Sequence, residues 1–286
     1  MHLTVFLILL AGFIILWGVG VEPRWYRLRR IKIRLSTGLS TPVTILQLSD
    51  MHFPFFVRSV EKFFKKLIPL NPDFVFITGD LIETDEGIEP CVRLLSGIQA
   101  RLGMFAVFGN HDYYHYDLWE AIVFNFDRTK YPRKQNNYGL LKKSLAAAGC
   151  RVLDNENTTV PNGRDLFRII GVQDLVTSRA DIPKAFRGVG ADGVKILLTH
   201  SIDAVAEIGE SPVDLALAGH THGGQICLPL IGMPPVGTHC KLGRKYAAGL
   251  ARFRKIITYT THGIGVGRIL FFRLFCRPEA VLIELH

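Results

Sequence analysis

From Leu3 to Val21 the chain is apolar apart from Thr4 and small glycines, and no polar face recurs at helical spacing. That pattern predicts a helix able to cross a hydrocarbon core of roughly 30 Å, not one packed inside a soluble domain. A cleaved leader fits less well, because no basic segment precedes the run and no small-x-small site follows before Pro23. Arg24, Trp25, Tyr26, Arg27, Arg29, Arg30, Lys32 and Arg34 come directly after it. An aromatic pair followed by a basic cluster suits a membrane surface with anionic headgroups. The expected organisation is an anchor over residues 1–22, a basic juxtamembrane linker over 23–42 and one domain over 43–286. The positive-inside tendency places that domain on the cytoplasmic side.

Beyond the linker the periodicity changes. Short continuous apolar runs at Val43 to Ser49, Phe74 to Thr78, Met104 to Phe108, Val194 to Thr199, Val213 to Ala218 and Ile256 to Thr260 predict buried strands. Val57, Val60, Phe64 and Leu67 recur at helical spacing across Val57 to Ile68, which Pro69 and Pro72 end. Further helices are expected over Cys91 to Gln99 and Gly139 to Ala148. Strands around Val152, Thr158 to Val160 and Leu166 to Val172 are expected to pair in a second sheet, and Val281 to Leu285 closes the sheet. Alternation of strand and helix indicates an α/β fold. Tyr113 to Tyr138 is aromatic, basic and too long for a plain connector, so it is expected to form a cap insertion over a site.

At 286 residues and 48% hydrophobic, the chain can bury a full core as one large domain. Five scattered cysteines, odd in number and without a CxxC pair, indicate reduced core thiols, not a disulfide framework or a cysteine zinc site. The balance of 34 basic against 25 acidic residues gives +9 and points to an anionic partner. Because that charge gathers beside the anchor, a phosphorylated substrate or a membrane face is expected, and nucleic acid is not. Nothing in the sequence predicts a protein partner.

The chemistry collects where the predicted strands end. Asp50 and His52 stand at i and i+2, so in extended chain both can grip one cation. Asp80 ends the next strand after Gly79, and Asn110 offers a neutral oxygen ligand after Gly109. His111 with Asp112 can supply an oriented imidazole for proton transfer. His200 ends one later strand, while His220 and His222 follow another between flanking glycines. Taken singly, each is as well read as a polar strand end or turn. Five such ends together are not coincidence. Glu83, Asp85 and Glu86 read as solvent-facing loop residues. Phe53, Phe55 and Phe56 fill core or wall a lipid chain, and Lys241 and Arg244, in a Gly/Pro-rich loop, are candidates for contacting phosphate. The glycines after His262 follow no helix start and do not indicate a dinucleotide site. Carboxylate, amide and imidazole ligands suit two divalent cations of the Mn2+, Fe2+/Fe3+ or Zn2+ type. Two such ions hold a water between them, lower its pKa and neutralise phosphate oxygens.

The ordered series Asp50-x-His52, Gly79-Asp80, Gly109-Asn110-His111-Asp112, His200 and Gly219-His220-Thr221-His222 resembles the calcineurin-like metallophosphoesterase superfamily over nearly everything after the anchor. Gly219 to Gln225, His262 to Gly265, Arg273 and Arg277-Pro278-Glu279 are similar to its membrane-associated YaeI/YkuE-like branch. The resemblance implies a four-layer α/β/β/α sandwich with the site at the strand ends. It also implies that Asp50, His52, Asp80 and His222 bind one metal, that Asp80, Asn110, His200 and His220 bind the other, and that Asp80 bridges. His111, supported by Asp112, would protonate or stabilise the leaving oxygen. Exported members carry a twin arginine ahead of the apolar segment, whereas Arg29-Arg30 follows it here, so export is not expected. The implied activity is hydrolysis of a phosphoester or pyrophosphate in a lipid or lipid-linked nucleotide such as UDP-2,3-diacylglucosamine. The alternatives are a phosphodiesterase or phosphatase with a soluble substrate, and a non-catalytic scaffold, which the intact ligand set argues against.

Overall fold

The computed structural model describes residues 2–116, 119, 134–229, 232–233, 240–266 and 271–286. Most of the expected cap over 113–138, and parts of the loop after Ile226, lie outside the described residues.

Continuous apolar runs form strands because both faces of each sheet are covered. Strands β2 (Val43–Leu48), β3 (Phe74–Thr78) and β4 (Gly103–Val107) lie parallel with their C-terminal ends together. Their residues alternate between two cores. Leu46, Leu48, Val75, Ile77, Met104 and Ala106 face a helical layer of α2 (Val57–Leu67), α3 (Ile88–Leu95) and α5 (Tyr138–Ala147). Val43, Ile45, Phe74, Phe76, Phe105 and Val107 face a second sheet. That sheet contains β7 (Asp165–Gly171), β8 (Val194–Leu198), β9 (Leu215–Ala218) and β11 (Ile256–Thr260), all parallel, with β6 (Glu156–Asn162) and β10 (Gly249–Phe253) antiparallel at its edges. A third core on its outer face includes Val205 of α7 (Ala204–Glu207) and Ala185 of α6 (Ile182–Ala185). The result is the expected α/β/β/α arrangement of two mixed six-stranded sheets.

Three details differ from the sequence pattern. Strand β5 (Cys150–Val152) pairs with β4 at the edge of the first sheet, not within the second. Strand β12 (Glu279–Leu285) does not close an edge but inserts between β2 and β1 (Arg27–Ile33). Strand β1 also corrects the expected linker over 23–42, since most of the basic collar is sheet in register with β12, Arg27 opposite Glu279 and Lys32 opposite Glu284. Arg27 pairs with the fully buried Glu279 at 2.7 Å, which ties the charged stretch into the sheet, while Lys32–Glu284 (3.1 Å) is a surface pair that adds little.

Helix α1 (His2–Leu16) continues through irregular helical turns to Arg24, and the most apolar window of the stretch His2–Arg24 has mean hydropathy 2.5. It is long and apolar enough to cross a membrane, and only 6% of its most apolar window is buried against the rest of the protein.

Candidate metal centre

The C-terminal ends of β2, β3, β4, β8 and β9 converge, which is where open parallel sheets gather ligands. Asp50, His52, Asp80, His220 and His222 all adopt positive φ, between 48° and 71°. Non-glycine residues rarely occupy that region, and its clustering here marks backbone strain held for a purpose. The glycines have separate reasons. Gly79 has φ 90°, and a Cβ on Gly109 would strike the Asp80 carboxylate, so only glycine lets β4 pass so close.

Three groups form within this cluster, each with ligand atoms mutually within 4.8 Å: Asp50, His52 and His222; His52, Asp80 and His111; Asp80, His200 and His220. Asp80 Oδ2 lies 3.2 Å from His200 Nε2 and 3.7 Å from His52 Nε2, between the two ends of the cluster. His52 Nε2 and His222 Nε2 face each other at 3.1 Å, as do His200 Nε2 and His220 Nδ1. Asp50 Oδ2 and Asn110 Oδ1 are buried and accept no hydrogen bond. Imidazole nitrogens turned toward one another beside orphaned oxygens are unfavourable alone and fit a shared cation. Six of the expected ligands, Asp50, His52, Asp80, His200, His220 and His222, fall within these groups, and their oxygen and nitrogen donors fit divalent metal. His200 is oriented by Nδ1 against Thr78 O at 2.8 Å, which leaves Nε2 to face Asp80.

The electrostatics follow from burial and pairing. Burial penalises the charge of Asp80, but His200, His111 and His52 more than offset this and hold its carboxyl well below the usual range. Burial and the neighbouring carboxylate of Asp80 push Asp50 up, although His200 and His52 oppose them. His222 is pushed well below an ordinary histidine by burial, then by His52 and Arg273, so it is held neutral as a ligand must be.

The support of His111 is not the neighbouring carboxylate. Asp112 does not reach it. Its Oδ1 accepts the backbone N–H groups of Leu81 (2.8 Å) and Ile82 (3.1 Å), and its Oδ2 accepts that of Gly109 (2.9 Å). Burial, then the charge of Asp80, raises it to about 7 against those bonds. Asp112 thus ties the β3 loop to the start of α4 (Asn110–Tyr113). The partner of His111 is Glu83, expected in solvent and found fully buried. Glu83 Oε2 is 2.9 Å from His111 Nδ1 and 2.8 Å from His52 Nδ1. Burial alone would raise this carboxyl, yet the two imidazoles hold it at about 2. Against burial, Glu83 and Asp80 lift His111 to about 9. The buried pair Leu81-Ile82 between Asp80 and Glu83 was the one signal that this loop turns inward.

Of the expected substrate contacts, Phe53 is fully buried in the helical-layer core and walls nothing. Phe55 and Phe56 are partly exposed and stand edge-on to Phe271, at 5.0 and 6.3 Å. The described contacts of Lys241 and Arg244 run to Asp203 and to Met233 O, not to the ligand cluster.

A model of the calcineurin-like phosphoesterase family matches residues 43–224. The chain is 31% identical over 268 residues to the phosphodiesterase YaeI of Escherichia coli, covering 92% of this chain and 90% of that one. It is 26% identical over 305 residues to the UDP-2,3-diacylglucosamine pyrophosphatase LpxG of Chlamydia trachomatis, covering 93% and 91%. Among solved structures, a purple acid phosphatase from yellow lupin is similar at 15% identity and TM-score 0.41, covering 80% of this chain and 45% of that one.

Proposed function

The chain belongs to the calcineurin-like phosphoesterase family, and on that premise we propose that it is a membrane-anchored hydrolase using two divalent cations. Its substrate is a phosphoester or pyrophosphate in a lipid or lipid-linked nucleotide such as UDP-2,3-diacylglucosamine. One observation carries the two-cation reading: Asp80 Oδ2 sits between His52 on one side and His200 on the other, each within a separate group of donors. Asp50, His52, Asp80 and His222 would hold one ion, and Asp80, Asn110, His200 and His220 the other. The ions, Mn2+, Fe2+/Fe3+ or Zn2+, would supply an activated water and neutralise phosphate charge. His111, its imidazolium held by Glu83, delivers a proton to the leaving oxygen, and Glu83 orients the His52 ring at the same time.

The lipid reading is supported by the surroundings of the anchor. Phe55 and Phe56 follow closely on His52, and Arg24 at the base of the anchor lies 4.1 Å over the Phe56 ring. An apolar approach thus adjoins both the centre and the apolar helix, which suits a substrate taken from a bilayer. By the positive-inside tendency the catalytic domain is cytoplasmic. Incubating purified protein with Mn2+ and the diacylated nucleotide sugar is expected to release UMP. Cleavage of bis-p-nitrophenyl phosphate without UMP release would discard that substrate and leave the soluble phosphodiesterase reading.

A further inference from the structure

Phe271 to Arg277 runs as a strap between the base of the anchor and the metal centre. On the anchor side, Arg273 N donates to Gly18 O at 2.9 Å, and the Phe272 ring lies so close to Gly18 that a Cβ there would overlap it. Cys276 N donates to Glu22 Oε1 at 2.6 Å, and Glu22, 2% exposed, also accepts from Trp17 Nε1 at 2.9 Å. Arg277 Nε donates to Trp25 O at 2.9 Å, with its guanidinium 4.0 Å over the Trp25 ring. On the other side, the fully buried Arg273 side chain reaches the His262–Gly265 loop and the ligand His222. Its Nη2 donates to His262 O (2.8 Å) and Gly265 O (2.7 Å), and its Nη1 to Cys276 O (3.0 Å).

Arg273 Nη2 also lies 3.2 Å from His222 Nδ1, and Cys276 Sγ lies 3.3 Å from His222 O. Both Nη2 hydrogens are committed to the two carbonyls, so what holds His222 is its backbone oxygen, which Arg273 Nη1 approaches at 3.5 Å beside the Cys276 thiol. A buried guanidinium is costly, and this one has no acidic partner among its described contacts. Its donors instead join the strap and the His262–Gly265 loop beside one metal ligand.

We infer that Arg273 is a positioning residue that holds the ligand His222 by way of the anchor segment Gly18 to Tyr26. The anchor is then part of the catalytic structure as well as a tether. This rests on the metal-centre reading above, and its test is read in metal binding, without a substrate.

Gly18 and Gly20 lie on the same apolar segment, but a side chain at Gly18 meets Phe272 whereas one at Gly20 meets open space. The full chain in detergent is titrated with Mn2+, with bound metal counted by elemental analysis and the coupled Mn2+ pair followed by electron paramagnetic resonance. Gly18→Leu is expected to weaken one of the two ions by about 10- to 100-fold, the range for loss of a group that orients a ligand. Gly20→Leu is expected to match the wild type, and Arg273→Gln to act in the same direction as Gly18→Leu, with an unchanged circular dichroism spectrum as the check on folding. Wild-type binding of both ions by Gly18→Leu, or equal loss in Gly20→Leu, overturns the inference. A wild type that binds no Mn2+ overturns the metal-centre reading itself.

Discussion

Glu83→Gln isolates one charge at the centre. Glu83 Oε2 lies 2.8 Å from His52 Nδ1 and 2.9 Å from His111 Nδ1, and a glutamine oxygen can keep the hydrogen bond to His52 and the place beside His111. What disappears is the negative charge that, with Asp80, lifts His111 to about 9 from an ordinary 6.5. An opposite charge at this distance is worth about 1 to 3 pH units, and Asp80 remains, so the variant should lose about 1 to 2 of them. The sign follows from the role: an acid that must be protonated supports turnover below its pKa, so the alkaline limb of kcat should move to lower pH. Bound cations pull the limb down in both proteins and leave the difference. The same substitution in metal-stripped protein should remove acid-sensitive stability. The Glu83 carboxyl is depressed from 4.5 to about 2, so its contribution is present above 4.5 and fades as pH falls toward 2. At neutral pH it amounts to about 3 kcal/mol, an interaction already described by the His111 shift and not additional to it. The assay is the kcat profile on bis-p-nitrophenyl phosphate with Mn2+, beside thermal unfolding of the stripped protein at pH 7. An alkaline limb that stays in place in Glu83→Gln would refute the pairing of Glu83 with a catalytic His111.

His111→Ala should lower kcat by about 100-fold or more while both ions remain bound, which elemental analysis checks. Asp80→Asn should weaken both ions together, since its Oδ2 stands between the two groups, and a titration that loses only one would remove it from the bridge. Asp112→Ala orphans three buried N–H groups, of Leu81, Ile82 and Gly109, and should cost at least about 3 kcal/mol of unfolding free energy by denaturant titration.

The misassignment of Asp112 shows where linear reading ends. Ligands at strand ends were legible because each chemistry-bearing residue follows an apolar run and adjoins a glycine, and parallel strands then align those ends. His111 and Asp112 adjoin in sequence, but they sit in a helical turn, where consecutive side chains diverge by about 100° and cannot face each other. Asp112 consequently points back to the β3 loop, and the partner of His111 had to come from another element. Glu83 was hidden because a lone carboxylate in a loop looks solvated until the two imidazoles that neutralise it are in view. Strand β1 was hidden for the same reason, its basic side chains making sense only opposite Glu279 and Glu284, hundreds of residues away. Glu83 and Glu279 are charges held inside by distant partners of opposite sign, whereas Lys32 and Glu284 pair at the surface. Arg273, whose sequence neighbours name no role, is a different case: a buried guanidinium with no acid among its described contacts has to be explained by the carbonyls it gathers, and those lie around His222.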